Sequence, residues 1–264
     1  MSQNGSSSNG LDPQARRRAI MDYVVKQGSA GVDDLADILG VSTMTVYRDV
    51  AELERAELIN RKRGVVTAAE SSLTEASSRL RMSMNESVKV ALARVVEKHL
   101  RRGQSVMFDD SSTTLPLVPI LPKYAPITLV TNAEFIAQEV RQQSGVRLLL
   151  IGGEYEAWAD AYFGELSEAA ISRLRVDLCI ISSTAVTPEF CYHPNENVAR
   201  TKRAMLAVSR RKILVVDSSK FTKSALYQVC PTAEFDLVIT DSQTPPEILE
   251  QFAALDIPIE VVQI

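Results

Sequence analysis

The spacing of apolar positions divides the chain into two halves with different periods. Between residues 12 and 67 apolar residues recur every three or four positions, which predicts helices. Ala19, Ile20, Tyr23 and Val24 form one stripe; Asp12 and Pro13 suit its N-cap and first turn, and Gly28 closes it. Leu35, Ile38 and Leu39 face inward on a second short helix, "DDLADIL". "GVS" then turns the chain, and Ser42 caps a third helix, "TMTVYRDVAELERAE", whose Val46, Val50 and Leu53 pack back onto the core. Ala36 is small where two helices cross, and Gly40 sits in the turn after it. "LINRKRGVVTA" then offers two short strands around Arg61, Lys62, Arg63 and Gly64. The order reads as a helix-turn-helix with a wing over residues 13–69.

A different grammar follows. Residues 70–85, "ESSLTEASSRLRMSMN", are Ser-rich and short of large apolar groups, as expected of a linker. "ESVKVALARVVEKHLRRG" is a helix reaching residue 102, with Val88, Ala91, Leu92, Val95, Val96 and Leu100 on its apolar side and Gly103 as its stop. From there to residue 264, seven β-branched runs alternate with helical stretches: "SVMF", "ITLVT", "RLLLIGG", "VDLCIIS", "KILVVD", "LVIT" and "IEVVQI". Near-continuous apolar runs imply burial on both faces, and helices between them imply a mostly parallel α/β sheet. The opening residues, 1–12, read as a disordered tail.

Composition adds limits. Hydrophobic content of 45% and charged content of 23% are those of a globular protein. No apolar run approaches the roughly 18 residues of a membrane span, and "MSQNGSSSNG" lacks the charge and apolar core of a signal peptide. A cytoplasmic protein with no membrane contact is expected. Three scattered cysteines build no disulfide framework, and "CYH" at 191–193 lacks a second ligand pair, so no metal or cofactor is expected. A net charge of −4 predicts no bulk attraction to nucleic acid. DNA binding would rest on local clusters: Ser42, Thr43, Thr45, Tyr47 and Arg48 on the third helix, flanked by Arg16, Arg17 and Arg18 and by Arg61, Lys62 and Arg63. Ala-x3-Gly between amphipathic helices also occurs in helical domains that never meet DNA.

The strands end in polar tags. "SVMF" runs into "DDSSTT", "ITLV" into "TN", "RLLLI" into "GG", "CII" into "SST", "ILVV" into "DSSK" and "LVI" into "TD". Ligands of open parallel sheets bind outside the carboxyl ends of the strands. Gathered at one edge, these tags would offer hydroxyls, amides and backbone N–H groups, with Lys220 as a cation and Asn132 and Asp217 for sugar hydroxyls. That chemistry suits a phosphorylated, polyhydroxylated small molecule. Ser, Thr and Asp also cap helices, so a single tag means little. His99 and His193 have no nucleophile beside them, while a carboxylate base at Asp109 or Asp110 stays open.

Taken in order, "LADILGVSTMTVYRDVAELERAELINRKRG", "DSSTT", "VTN", "IGGEY", "YFG", "NENVARTKRAM", "VVDSSKF" and "VITD" resemble the DeoR family of bacterial transcription regulators, from about residue 13 to the end. The resemblance implies a winged helix-turn-helix joined to a sensor related in fold to ribose-5-phosphate isomerase and coenzyme A transferases. Such sensors bind sugar phosphates or similar metabolites and are not usually enzymes. Most members repress operons for sugar or polyol catabolism and act as homo-oligomers, dimers or tetramers. The family's phosphate loop falls on Asp110, Ser111, Ser112, Thr113 and Thr114. Its other pocket positions are Thr131, Asn132, Gly152, Gly153, Asp217 and Lys220, with Glu196 and Lys202 from "NENVARTK". Ser112 replaces a usual glycine, Tyr47 a usual arginine, and the wing keeps only Gly64 of its usual glycines. The expected partners are operator DNA and a phosphorylated sugar or polyol that releases it. The rival is a sugar-phosphate isomerase or transferase with a helical appendage; a third reading is an activator or a constitutive DNA binder.

Overall fold

The computed structural model describes residues 12–55, 58–69 and 72–264, and the chain divides into two compact units, Met1–Ala69 and Glu70–Ile264. Most of the expected tail, the end of the third helix and the start of the linker lie outside the described residues.

In the first unit, α1 (Pro13–Gln27) starts where the Asp12 carboxylate accepts the N–H groups of Gln14 and Ala15, and it stops at Gly28 with φ +81°. Next come β1 (Ser29–Gly31), α2 (Val32–Leu39) and α3 (Thr43–Arg55). Gly40 takes φ +63° between the two helices, a backbone that glycine adopts at little cost. Ile20, Val24, Leu35, Ala36, Val46, Val50 and Leu53 form the core with Ile59 and Val66 of the wing strands β2 (Ile59–Lys62) and β3 (Val65–Ala68). Arg63 and Gly64, at φ +52° and +79°, make a two-residue hairpin turn whose twist matches its strands. Ile38 is a correction: expected to face inward, it is 53% exposed, because α2 buries Val32, Leu35 and Ala36 instead. β1 was not expected either; it extends the wing to three strands in the order β1-β3-β2.

The second unit opens with α4 (Ser78–Ser83) and α5 (Glu86–Val96), followed by β4 (Ser105–Phe108), β5 (Ile127–Thr131), α6 (Glu134–Arg141) and β6 (Val146–Leu150). A hairpin of β7 (Glu154–Glu156) and β8 (Ala161–Phe163) leads to α7 (Glu165–Ile171) and β9 (Val176–Ile181). Then come β10 (Ala185–Val186), β11 (Phe190–His193), α8 (Glu196–Ala207), β12 (Ser209–Val215), β13 (Tyr227–Pro231), β14 (Leu237–Asp241), α9 (Pro246–Ala254) and β15 (Ile259–Val262). Seven strands pair in the order β15-β14-β12-β9-β4-β5-β6, all parallel. They are the seven expected runs.

Alternation of side chains explains those continuous apolar stretches. Val106, Phe108, Leu178, Ile180, Ile213 and Val215 belong to the core on one face; Met107, Cys179, Ile181, Leu214 and Val216 belong to that on the other. The two edge strands, β6 and β15, are less buried, and Leu149 of β6 is 37% exposed.

Two features depart from expectation. The helix read as reaching residue 102 ends at Val96 and continues only as a 3-10 turn, Glu97–His99. The stretch read as a linker is folded into the second unit: α4 lies within it, and Ala76, Ser77, Ser78 and Arg81 are buried.

Candidate functional site

The topology itself marks a place for a ligand. From β4 the chain runs outward to β5 and β6, then returns to the other side of β4 as β9 and continues to β12 and β14. The order therefore reverses between β4 and β9, and at such a point the loops leaving two adjacent strands part and open a crevice. A cavity lies there, lined by Asp110, Ser111, Ser112 and Thr113 beyond β4 and by Ser182, Ser183 and Thr184 beyond β9. Lys220, Lys202, His193, Glu75 and Arg81 complete it. Its free volume is about 20 Å³, room for about one water.

Asp109 ties the two loops together. One oxygen accepts the Ser111 N–H at 3.1 Å and the other the Ser182 N–H at 3.1 Å, and Lys202 from α8 bonds the second oxygen as well. Lys202 also lies 3.2 Å from Asp110. Burial disfavours its charge, but the carboxylates of Asp109 and Asp110 outweigh that and hold its pKa above the usual lysine range. Burial likewise pushes the Asp110 carboxyl up, and the charges of Lys202 and Arg81 more than reverse it, so its pKa lies below the ordinary carboxylate range. A carboxylate held so firmly is a poor proton acceptor near neutrality. His99 is no partner for it: it lies beside the opposite ends of the strands, accepting from Arg211 at 3.1 Å.

The cations come from three helices and a turn. Arg81 of α4 donates to the Asp110 carbonyl at 3.0 Å and reaches its carboxylate at 3.5 Å. Lys89 of α5 donates to the Arg81 carbonyl and to the Ser112 hydroxyl, the latter at 2.9 Å. Asp217 accepts from Ser219 at 3.1 Å and from the Asn85 amide at 3.3 Å, and so shapes the turn that presents Lys220. Thr114 is fully buried behind the loop, bonded to the Ser111 carbonyl at 2.9 Å.

Not every expected pocket residue reaches the cavity. Thr131 accepts the Ala133 N–H at 3.1 Å, and the Asn132 amide donates to the Tyr162 carbonyl at 2.8 Å, holding the β7–β8 hairpin. The Gly152 carbonyl accepts from Ser167 at 2.8 Å. Gly153 packs so closely that a Cβ would lie 2.5 Å from the Phe163 carbonyl. Those four positions shape the strand ends beyond β5 and β6, outside the crevice. Glu196 is exposed at the start of α8 and does not line the cavity. Glu75, Arg81 and Lys89, in contrast, escaped sequence reasoning, and His193 was noted there only as a histidine with no nucleophile or second ligand beside it. The first two sat in a stretch read as a linker, and the basic residues of "SSRLR" were the only signal for Arg81.

On the first unit, Ser42 accepts the Thr45 N–H at 3.2 Å as the cap of α3. Tyr47 and Arg48 are exposed on that helix, Thr43 and Thr45 half-buried, and Met44, not anticipated, is 64% exposed beside them. The Arg61 guanidinium stacks 5.3 Å from the centre of the Tyr47 ring and lies 3.5 Å from Glu54, joining wing to helix. Lys62, Arg63 and Arg18 are exposed. Arg16 bonds buried Asp49, and Arg17 lies 3.9 Å from the same carboxylate and donates to the Pro13 carbonyl at 3.1 Å, so both also take part in the packing of α1 on α3.

Among the described residues no helix is long and apolar enough to cross a membrane. A DeoR-like helix-turn-helix domain matches residues 16–72, and the DeoR C terminal sensor domain matches residues 84–242. The chain is 30% identical to the HTH-type transcriptional regulator GlpR of Haloferax volcanii, covering 94% of this chain and 97% of that protein. It is 28% identical to the glycerol-3-phosphate regulon repressor of Escherichia coli K12, over 93% and 98% of the two chains. The L-fucose operon activator of Haemophilus influenzae is 28% identical over 88% and 94%. Among solved structures, ribose 5-phosphate isomerase A of Methanocaldococcus jannaschii matches 52% of this chain and 55% of its own at 14% identity and a TM-score of 0.38, too distant to bear on function. With a regulator's DNA-binding domain at one end and the matching sensor over more than half its length, the chain belongs to the DeoR family of transcription regulators.

Proposed function

We propose that this regulator is a cytoplasmic repressor of a carbohydrate or polyol catabolic operon, released from DNA by a phosphorylated sugar metabolite. The observation that carries the effector is the crevice between β4 and β9, where the hydroxyl residues of two loops, Arg81, Lys202 and Lys220 converge on one small cavity. Phosphate oxygens are bound by such donors, and cations offset their charge. The relative named as a glycerol-3-phosphate regulon repressor supports the same class of effector. Asp110, Ser111, Ser112, Thr113, Lys202 and Lys220 are the contact or support residues of this reading. Thr114, Thr131, Asn132, Gly152, Gly153 and Asp217 shape the strand ends, and Glu196 takes no part.

On the DNA side, α3 enters the major groove, with Thr43, Thr45, Tyr47 and Arg48 reading bases or adjacent phosphates. Lys62 and Arg63 at the wing tip and Arg18 on α1 contact backbone. A homo-oligomer presents two such helices to a symmetric operator. The test is a thermal-shift screen of the full chain against phosphorylated sugars and polyols. A phosphorylated compound should raise the melting temperature of wild type and not of Lys220→Ala, because a ligand that binds only the folded state stabilises it. Equal shifts in both proteins would refute the pocket assignment. An enzyme is disfavoured by the regulator family to which both parts of the chain match, and by the pairing of Asp110 with Lys202, which holds that carboxylate ionised.

A further inference from the structure

The effector cavity already holds an anion of the chain's own. Glu75 lies six residues past Ala69, the last residue of the first unit, yet its side chain is only 4% exposed. One of its oxygens accepts the Thr184 hydroxyl and also the His193 Nε2–H at 3.0 Å. The Asn195 N–H donates to Nδ1 of the same ring at 3.0 Å, which leaves Nε2 to carry the proton toward Glu75. Burial pushes the Glu75 carboxyl up, but the His193 hydrogen bond and the charges of Arg81 and Lys220 bring it well below the carboxylate range. A hydroxyl, an imidazole N–H and two cations are what a phosphomonoester would need at that spot. With room for about one water beside Glu75, a phosphate cannot join the carboxylate. It has to replace it.

We propose that Glu75 occupies the effector's phosphate subsite in the unliganded protein, and that a phosphomonoester binds by displacing it. The proposal rests on the effector reading given above. Two anions on one set of desolvated donors repel, so binding of one expels the other. A neutral polyol offers no such exchange, and Glu75 therefore makes the phosphate, not the sugar, the obligatory part of the signal. The segment that carries Glu75 leads directly to the DNA-binding unit. It is tied down by the Ser78 N–H on the Trp158 carbonyl at 2.8 Å and by Arg81 on the Ala76 carbonyl at 3.1 Å. Expelling Glu75 removes a further anchor from that strap.

Trp158, the one tryptophan of the chain, reports on this site: its ring centroid is 6.4 Å from that of His193. The full chain is titrated with inorganic phosphate at constant ionic strength, as wild type, Glu75→Gln, Glu75→Ala and Lys220→Ala, and emission is followed. In wild type, phosphate should shift the Trp158 emission, and glycerol should not. The folded Glu75 variants, checked by thermal melting, should bind phosphate about tenfold or more tighter than wild type, since the competitor is gone. Affinity equal to or below wild type in both variants overturns displacement, leaving Glu75 a packing acid or a partner for effector hydroxyls. If Lys220→Ala then still loses the response, only the displacement fails. If no variant binds phosphate or any phosphorylated sugar, the effector reading fails with it.

Discussion

At position 112 a hydroxyl meets a buried ammonium. The family's loop usually carries glycine there, but among the described residues the non-glycine positions of positive φ are Arg63, Asn85, Asp160 and Asp256, so the loop does not need glycine's backbone at Ser112. The serine instead gives Lys89 an acceptor at 2.9 Å. Ser112→Gly should keep phosphate binding and cost about 2 kcal/mol of stability, the range for a hydrogen bond to a charged group, read from urea unfolding. Lys89 itself carries a pH dependence. Burial first, then the charge of Lys220, pulls its pKa from 10.5 down to about 8, with Arg81 adding to this and Asp217 and Glu86 opposing it. Between those two values the unfolded chain holds a proton that the folded chain has lost, so this group's contribution to stability rises with pH across the window. Phosphate affinity should move the other way, falling above pH 8 as the positive charge that Lys89 holds behind Ser112 of the pocket wall is lost. Lys89→Met should remove both trends; a wild-type affinity that is flat across the window would contradict the role given to Lys89.

Helices and strands differ in how plainly they announce themselves. Central parallel strands are apolar on both faces, so "VDLCIIS" and "KILVVD" stood out of the sequence, as did the stripes and caps of α1 and α3. β10 and β7, of two and three residues, left no period to detect. The strap that holds Glu75 and Arg81 was hidden for another reason: it buries polar groups against polar partners, and hydrophobicity does not register that. Clustered arginines concealed a structural role. Arg16 looked like a phosphate contact, yet it pairs with Asp49, whose side chain is 6% exposed. Arg16→Ala should therefore destabilise the DNA-binding unit by about 3 kcal/mol, as loss of one partner of a buried pair does. Arg48→Ala, on the exposed side of the same α3, should change stability by less than about 0.5 kcal/mol and abolish specific DNA binding. Thermal melting and a gel-shift assay separate the two.

Across the whole molecule, the proposed function requires that a small anion in one unit change what the other does. Nothing in the chain's overall charge of −4 assists DNA binding, so on the proposed reading the operator contact depends on a few side chains of α3 and the wing. Such a contact is weakened readily. A coupling of about 1–3 kcal/mol between effector and operator changes affinity by roughly 5- to 150-fold, enough to switch an operon. Binding is reciprocal, so operator DNA should weaken effector binding by the same factor.

The most direct measurement is operator affinity at fixed salt, with DNA selected from a random pool, in the absence and presence of a saturating phosphorylated sugar found by the thermal-shift screen. Wild type should lose operator affinity by a factor within that roughly 5- to 150-fold range, and Lys220→Ala should bind the operator equally well with and without the sugar. Wild-type affinity that does not change, or a Lys220→Ala protein that responds as fully as wild type, would contradict the claim that this crevice is where the regulator senses its signal.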